Sequence, residues 1–125
     1  MPSSPAKLRL AVVGSRDYPR LDLVWDFVIK LAVRRPNSII ISGGARGVDT
    51  VAAAAGRLAG LEVKELIPDW GRFGNYAGFL RNSEIIDAAD AVAIFWDGVS
   101  RGTMDSHKKA LAAGKRVLML GAQVR

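Results

Sequence analysis

The 125-residue chain predicts an α/β domain: an open, mostly parallel sheet with helices on both faces. Three observations carry that prediction. Apolar or β-branched runs alternate with stretches of helical periodicity in the order βαβαβαβαβ, joined by short connections. The run Ala91 to Phe95 is almost continuously apolar, the pattern of a strand buried on both faces. Between the runs Ser38 to Ile41 and Val51 to Ala59 lies Ser42-Gly43-Gly44-Ala45-Arg46-Gly47-Val48-Asp49-Thr50, which reads as a glycine-rich turn from a strand into a helix.

The elements follow in order. Residues 1–6 hold two prolines and two serines with nothing to bury, and read as a flexible lead to one domain over residues 7–125. Leu8, Leu10, Ala11, Val12 and Val13 form the first strand, closed by the breaker-rich Gly14 to Pro19. Leu21, Val24, Trp25, Val28, Leu31 and Ala32 recur at helical spacing and define a helix that ends before Pro36. The second strand is Ser38 to Ile41, and the second helix runs from about Val48 to Leu58, with Gly60 as its left-handed cap. Leu61 to Ile67 is a third strand whose Glu62, Lys64 and Glu65 suit an exposed edge. Asp69 to Gly78, mixing aromatics and glycines, reads as a long irregular loop that forms a wall or lid over a site. A helix over Ala77 to Ala88, the strand Ala91 to Phe95, a helix from about Thr103 to Ala113 and a last strand Arg116 to Leu120 complete the chain.

Composition bounds the function. Half the residues are apolar and 24% are charged, near the average for a globular domain. The net charge of +6 favours an anionic partner. It is uneven: residues 1–60 hold nine basic and four acidic side chains, residues 61–125 nine and eight. Nucleic acid fits that balance, although no lysine-rich block with interleaved aromatics, of the kind single-strand binders use, is present. Without cysteine there is no disulfide, thiolate metal site or cysteine nucleophile. No apolar run reaches the roughly 20 residues of a membrane span and the N-terminus has no apolar signal region, so a cytoplasmic protein without membrane contact is expected. Neither G-x-x-x-x-G-K-[ST] nor a G-x-G-x-x-G first turn occurs, so a P-loop ATPase and an NAD-binding domain are disfavoured. No metal and no cofactor are expected.

Ligands of open parallel sheets bind outside the carboxyl ends of the strands, where strand order reverses. Three turns at that edge combine small or hydroxyl residues with an arginine: Gly14-Ser15-Arg16, Ser42 to Gly47 with Arg46, and Gly98 to Thr103 with Ser100, Arg101 and Gly102. Backbone N–H groups, hydroxyls and guanidinium groups there suit phosphate. Asp49 fits two roles, a partner of the helix dipole and loop N–H groups or a ribose ligand. Ser100 and Thr103 fit helix caps as well as ligands. Trp70, Phe73 and Tyr76 fit packing or base stacking. His107, alone in its helix, reads as a solvated position.

Together with Arg81-Asn82 and Ile85-Ile86, these motifs resemble the SLOG superfamily of Rossmann-like domains, over Leu8 to Leu120 and nearest its small stand-alone YspA type, related to YpsA. The resemblance implies a strand order of 3-2-1-4-5, a switch point between the first and fourth strands, and a nucleotide-type ligand. Ser42 to Asp49 is similar to the Ser-Gly-x-Ala-Arg-Gly-Ile-Asp signature of DprA proteins, which implies single-stranded DNA as an alternative partner. The usual following histidine is missing. Arg81 and Gly102-Thr103 are similar to residues of the Lonely guy enzymes, which cleave nucleoside monophosphates at the N-glycosidic bond. The glutamate of their Pro-Gly-Gly-x-Gly-Thr-x-x-Glu motif falls on Ser106 here, and Asp105, about 100° round the helix, replaces it only if the helix rotates.

The expected function is therefore binding of a nucleotide or nucleotide-derived phosphate at the carboxyl edge, as a sensor or sequestering domain. The phosphate sits on the N–H groups of Gly43 to Gly47 and of Gly102-Thr103, with Arg16, Arg46 and Arg81 nearby, Asp49 or Asp97 on ribose, and Trp70 or Tyr76 on the base. The alternatives are glycosidic cleavage, with Arg81, Asp97 and Asp105 as catalytic candidates, and DprA-like binding of single strands. Trp25, Phe27 and their helix face leave room for a homodimer or higher oligomer.

Overall fold

The computed structural model describes residues 7–120, so the N-terminal lead read over residues 1–6 lies outside the described residues. Five parallel strands form one sheet in the order β3-β2-β1-β4-β5. They are β1 (Arg9–Gly14), β2 (Ile39–Ser42), β3 (Glu62–Glu65), β4 (Ala91–Phe95) and β5 (Arg116–Leu120). The helices are α1 (Leu21–Arg34), α2 (Val48–Leu58), α3 (Trp70–Phe73), α4 (Ala77–Ala88) and α5 (Arg101–Ala112), and a 3-10 turn (Gly74–Tyr76) joins α3 to α4.

Hydrophobic pattern explains the order. β1, β2 and β4 are the inner strands and are buried nearly throughout, while β3 on the edge alternates charge with Val63. Alternate residues of each inner strand supply two cores. Leu10, Val12, Ile40 and Ala93 face one with Val24 and Val28 of α1 and the small side chains of α2. Ala11, Val13, Ile41 and Ile94 face the other with Ile85 and Ile86 of α4 and Ala110 of α5. Right-handed crossovers require this division, with α1 and α2 on one face and α4 and α5 on the other after the order reverses beside β1.

Three sequence expectations change. Asp69 to Gly78 is not irregular: the Asp69 carboxylate accepts the Arg72 N–H at 3.1 Å, capping a helical turn that Gly74 ends with φ 56°. The last helix begins at Arg101 rather than Thr103, because Ser100 is its N-cap and accepts the Thr103 N–H at 3.4 Å. The third strand is shorter than Leu61 to Ile67. Phe27, read as part of a face for a second copy, packs edge-on against Phe95 with ring centroids 5.7 Å apart, and Trp25 is partly buried beside the same core.

Ile94 is fully buried in β4, between β1 and β5. Ile94→Ala is expected to lower unfolding free energy by about 2–5 kcal/mol. Urea denaturation with an unchanged m-value checks this.

Candidate functional site

The carboxyl ends of β1, β2 and β4 open onto a cleft of about 330 Å³. The first turn contributes Gly14, Arg16 and Asp17, the second Ala45 and Asp49, and the fourth Asp97 and Ser100. Gly102, Thr103 and Ser106 of α5 form one side, and Arg81, Asn82 and Ile85 of α4 the floor with Val13. It lies beside the β1–β4 junction, where strand order reverses.

Local chemistry folds the second turn inward. The Ser42 hydroxyl accepts the Gly44 N–H at 3.3 Å and donates to the Asp49 carbonyl at 3.1 Å, while the Thr50 hydroxyl donates to the Ala45 carbonyl at 2.7 Å. The Asp49 carboxylate, 5% exposed, accepts the Ala45 N–H at 3.3 Å. The Arg81 guanidinium reaches across from α4 to donate to the Gly43 carbonyl. A Cβ at Gly43 would overlap both the guanidinium and the Asp49 carboxylate, so only glycine admits this approach. Gly47, at φ 83°, lets the turn pass against the Arg16 backbone, where a side chain would collide. The loop that reads from sequence as an anion nest thus holds an anion of its own, Asp49.

Hydrogen bonds tie the walls together. Arg81 donates to the Asn82 side-chain oxygen at 3.0 Å, and the Asn82 amide donates to Asp105 at 3.1 Å and to the Gly102 carbonyl at 3.4 Å. Across the cleft, Ser15 accepts the Asp97 N–H at 3.1 Å and lies 3.4 Å from the Thr103 hydroxyl, which donates to Ser100 at 3.1 Å. Burial raises Asp49 from 3.8 to about 6, against the opposing pull of Arg81 and neighbouring backbone N–H groups. Burial lowers Arg81 while Asp49 pulls it back up, and the guanidinium stays charged. Burial also pushes Asp97 upward, but the N–H groups of Val99 and Ser100 with the Ser15 hydroxyl outweigh it and hold that carboxyl below its usual range.

Among the residues expected at the site, Gly14, Arg16, Ala45, Asp49, Arg81, Asn82, Asp97, Ser100, Gly102 and Thr103 line the cleft. Ser15, Ser42, Gly43, Gly47 and Thr50 shape it from behind. Gly44, Arg46, Gly98 and Arg101 stand outside on the exposed edge, as do Trp70 and Tyr76, which are 50% and 69% exposed. Asp105 does not line the cleft: α5 is not rotated, and its carboxylate meets Lys109 at 2.7 Å. Val13, Asp17, Ile85 and Ser106 line the cleft without having been expected there. Helical spacing marks two of them, since Ile85 lies one turn beyond Arg81 and Ser106 one turn beyond Thr103.

Comparison with known proteins places this arrangement. The model of the YspA, cpYpsA-related SLOG family matches residues 8–73. The Gene 61 protein of Mycobacterium phage D29 is 35% identical over 120 residues, covering 90% of this chain and 96% of the phage protein. The chain belongs to the YspA, cpYpsA-related SLOG family. Solved structures share the fold at lower identity. DNA processing protein A from Helicobacter pylori, described for its single-stranded DNA binding mode, aligns with a TM-score of 0.74 at 21% identity, over 94% of this chain and 66% of that one. DprA from Streptococcus pneumoniae aligns at 0.69 and 20%, over 89% and 49%. TM1055 aligns at 0.68 and 22%, over 88% and 72%. This SLOG domain thus spans about two thirds and one half of the two DprA chains.

Asp49 gives the domain a testable pH signature. Its folded value lies above the unfolded one, so its proton stabilises the fold at low pH, and that contribution is lost as pH rises from about 4 through about 6. The depressed carboxyls Asp22, Asp90 and Asp97 act oppositely and below this window. Stability from denaturant melts is expected to fall across the window in the wild type, and Asp49→Asn should flatten that fall.

Proposed function

We propose that the cleft binds the phosphate end of a nucleotide or nucleotide-derived compound and holds it without cleavage, as a sensor or sequestering domain. The convergence of Arg16 and half-buried Arg81 with Gly102 and Thr103 of the α5 N-terminal turn, at the strand-order switch point, carries this reading. Charge-assisted hydrogen bonds from guanidinium groups are strong and geometrically selective for phosphate. Gly102 N–H and the helix dipole add to them. Because Asp49 already engages the glycine loop, the phosphate belongs on the Arg16 and Thr103 side, with Ala45 of that loop as a wall. Asp97, ionised and fixed by backbone donors, suits ribose hydroxyls. The exposed Trp70 and Tyr76 are left for a group extending beyond the cleft. Membership of the SLOG family supports a nucleotide-type ligand.

The carboxylates favour binding over glycosidic cleavage. Ser106, buried at 3% exposure, occupies the position that the Lonely guy resemblance assigns to glutamate and cannot stabilise an oxocarbenium ion as a carboxylate does. Asp105 is held by Lys109 and Asn82, and Asp97 by the Val99 and Ser100 N–H groups at 2.9 Å each.

Calorimetric titration of the full chain with a panel of nucleoside mono- and diphosphates tests the proposal. One or more should bind, and Arg16→Ala should weaken binding by about tenfold or more, the loss of one charged hydrogen bond. Free base accumulating during incubation, and disappearing in Asp97→Asn or Asp105→Asn, would contradict binding without turnover.

A further inference from the structure

The two outer strands of the sheet differ in chemistry. β3 closes one side with Glu62, Lys64 and Glu65, charges that guard an open row of backbone donors and acceptors. β5 closes the other as Arg116-Val117-Leu118-Met119-Leu120, with one charge at its start and four apolar residues after it. Leu118 and Met119 are 43% and 45% exposed, one on each face of the sheet. A bare apolar outer strand is a template for pairing with another strand.

The ladder shows which backbone groups of β5 face outward. The Leu120 carbonyl accepts the Trp96 N–H, and Leu120 lies opposite Phe95, so the backbone groups of Arg116, Leu118 and Leu120 point to β4. Those of Val117 and Met119 point away from the sheet. Side chains alternate as well: Leu120 packs in the core under α1 and Val117 in the core under α4 and α5, which puts Leu118 on the α1 face and Met119 on the α5 face. Above Met119, α5 turns Thr103, Ser106 and Ala110 to the sheet, while Asp105 and Lys109 meet Asn82 and Phe79 of α4. The flank of α5 turned away from α4 therefore carries Met104, His107 and Leu111, with no carboxylate, lysine or arginine among them.

An antiparallel pair centred on Leu118 uses every outward group. Val117 exchanges both backbone hydrogen bonds with the partner's Met119, Met119 does the same with the partner's Val117, and the two Leu118 side chains meet at the two-fold axis. The two Arg116 side chains then start about 13 Å apart along the strands, beyond the screening length of about 8–10 Å, so like charges do not oppose the pairing. Because α5 lies over β4 and β5, the two copies of α5 run side by side at two strand spacings, about 10 Å, within the roughly 8–10 Å at which helices pack. A specific dimer needs roughly 800 Å² from each partner, more than one short strand supplies, and the apolar flank of α5 extends the contact.

We propose that β5 pairs antiparallel with β5 of a second copy of this chain, joining two five-stranded sheets into one, with the α5 flanks packed together beside the two-fold axis. A strand of another protein would meet the same backbone groups, but a second copy also brings the matching flank of α5. The carboxyl edges of the two sheets point in opposite directions, so each copy keeps its own cleft and the pairing stands independently of what the cleft binds.

Sedimentation velocity of the full chain across a micromolar concentration series tests the pairing, and the expected species has twice the 13.4 kDa mass of one chain. Leu118→Lys sets like charges opposite each other, and Met119→Pro removes an outward donor but no bond to β4. Each should give a monomer with unchanged far-UV circular dichroism, while Leu58→Lys, on α2 at the β3 side of the sheet, should leave the dimer intact. The chain has no cysteine, so Leu118→Cys reads the contact directly and decides even where another variant unfolds. Opposite residues of a non-hydrogen-bonded pair lie about 4.5 Å apart at Cα, within disulfide reach, so mild oxidation should link two Leu118→Cys chains and should not link two Leu58→Cys chains. A monomer at every concentration with no Leu118→Cys link overturns the pairing. So does a dimer that survives both Leu118→Lys and Met119→Pro, which places the contact elsewhere, and so do assemblies that keep growing with concentration, which are open-ended rather than two-fold.

Discussion

The contact on which the site depends is the reach of Arg81 from α4 to the Gly43 carbonyl beside the buried Asp49. It brings a helix on one face of the sheet against the turn that leads to a helix on the other. Two requirements follow from it. Position 43 must lack a side chain, and the half-buried guanidinium needs an opposing charge, which Asp49 supplies. Asp49 in turn sits in the first helical turn of α2, where the dipole and loop N–H groups favour a negative group.

From this centre the hydrogen-bond chain runs outward through Asn82 to Gly102 and Asp105 and on to Lys109, so the second turn and α5 are fixed relative to one another. The Ser15, Thr103 and Ser100 hydroxyls do the same between the first and fourth turns. The cleft between these two braces is therefore held in one shape, which lowers the ordering cost of the binding proposed for it. Arg16 stands apart from the braces. It is exposed and forms no salt bridge among the described residues.

Much of the fold was legible because it rests on local chemistry. The apolar run Ala91 to Phe95 had to be an inner strand, and the charges of Leu61 to Ile67 had to lie at an edge. The helical turn at 70–76 was not legible as structure, because its start depends on one Asp69 cap and its end on Gly74, signals weaker than the aromatic and glycine content around them. The motif residues do come together at one edge of the sheet, but a motif cannot say which of its groups are used internally. Ser42, Thr50 and Asp49 fold the loop that contains them.

Phosphate held at the β1–β4 junction, rather than on the glycine-rich loop, is the proposal on which the functional reading turns. Backbone amide shifts in a ¹H–¹⁵N spectrum, followed during titration with a nucleoside monophosphate, measure this most directly. The largest shifts are expected at Arg16, Gly102 and Thr103, with Gly44 and Ala45 changing little because Ser42 and Asp49 already accept their N–H groups. Large shifts at Gly44 and Ala45 with none at Gly102 and Thr103, or no shifts at this edge at all, would contradict it.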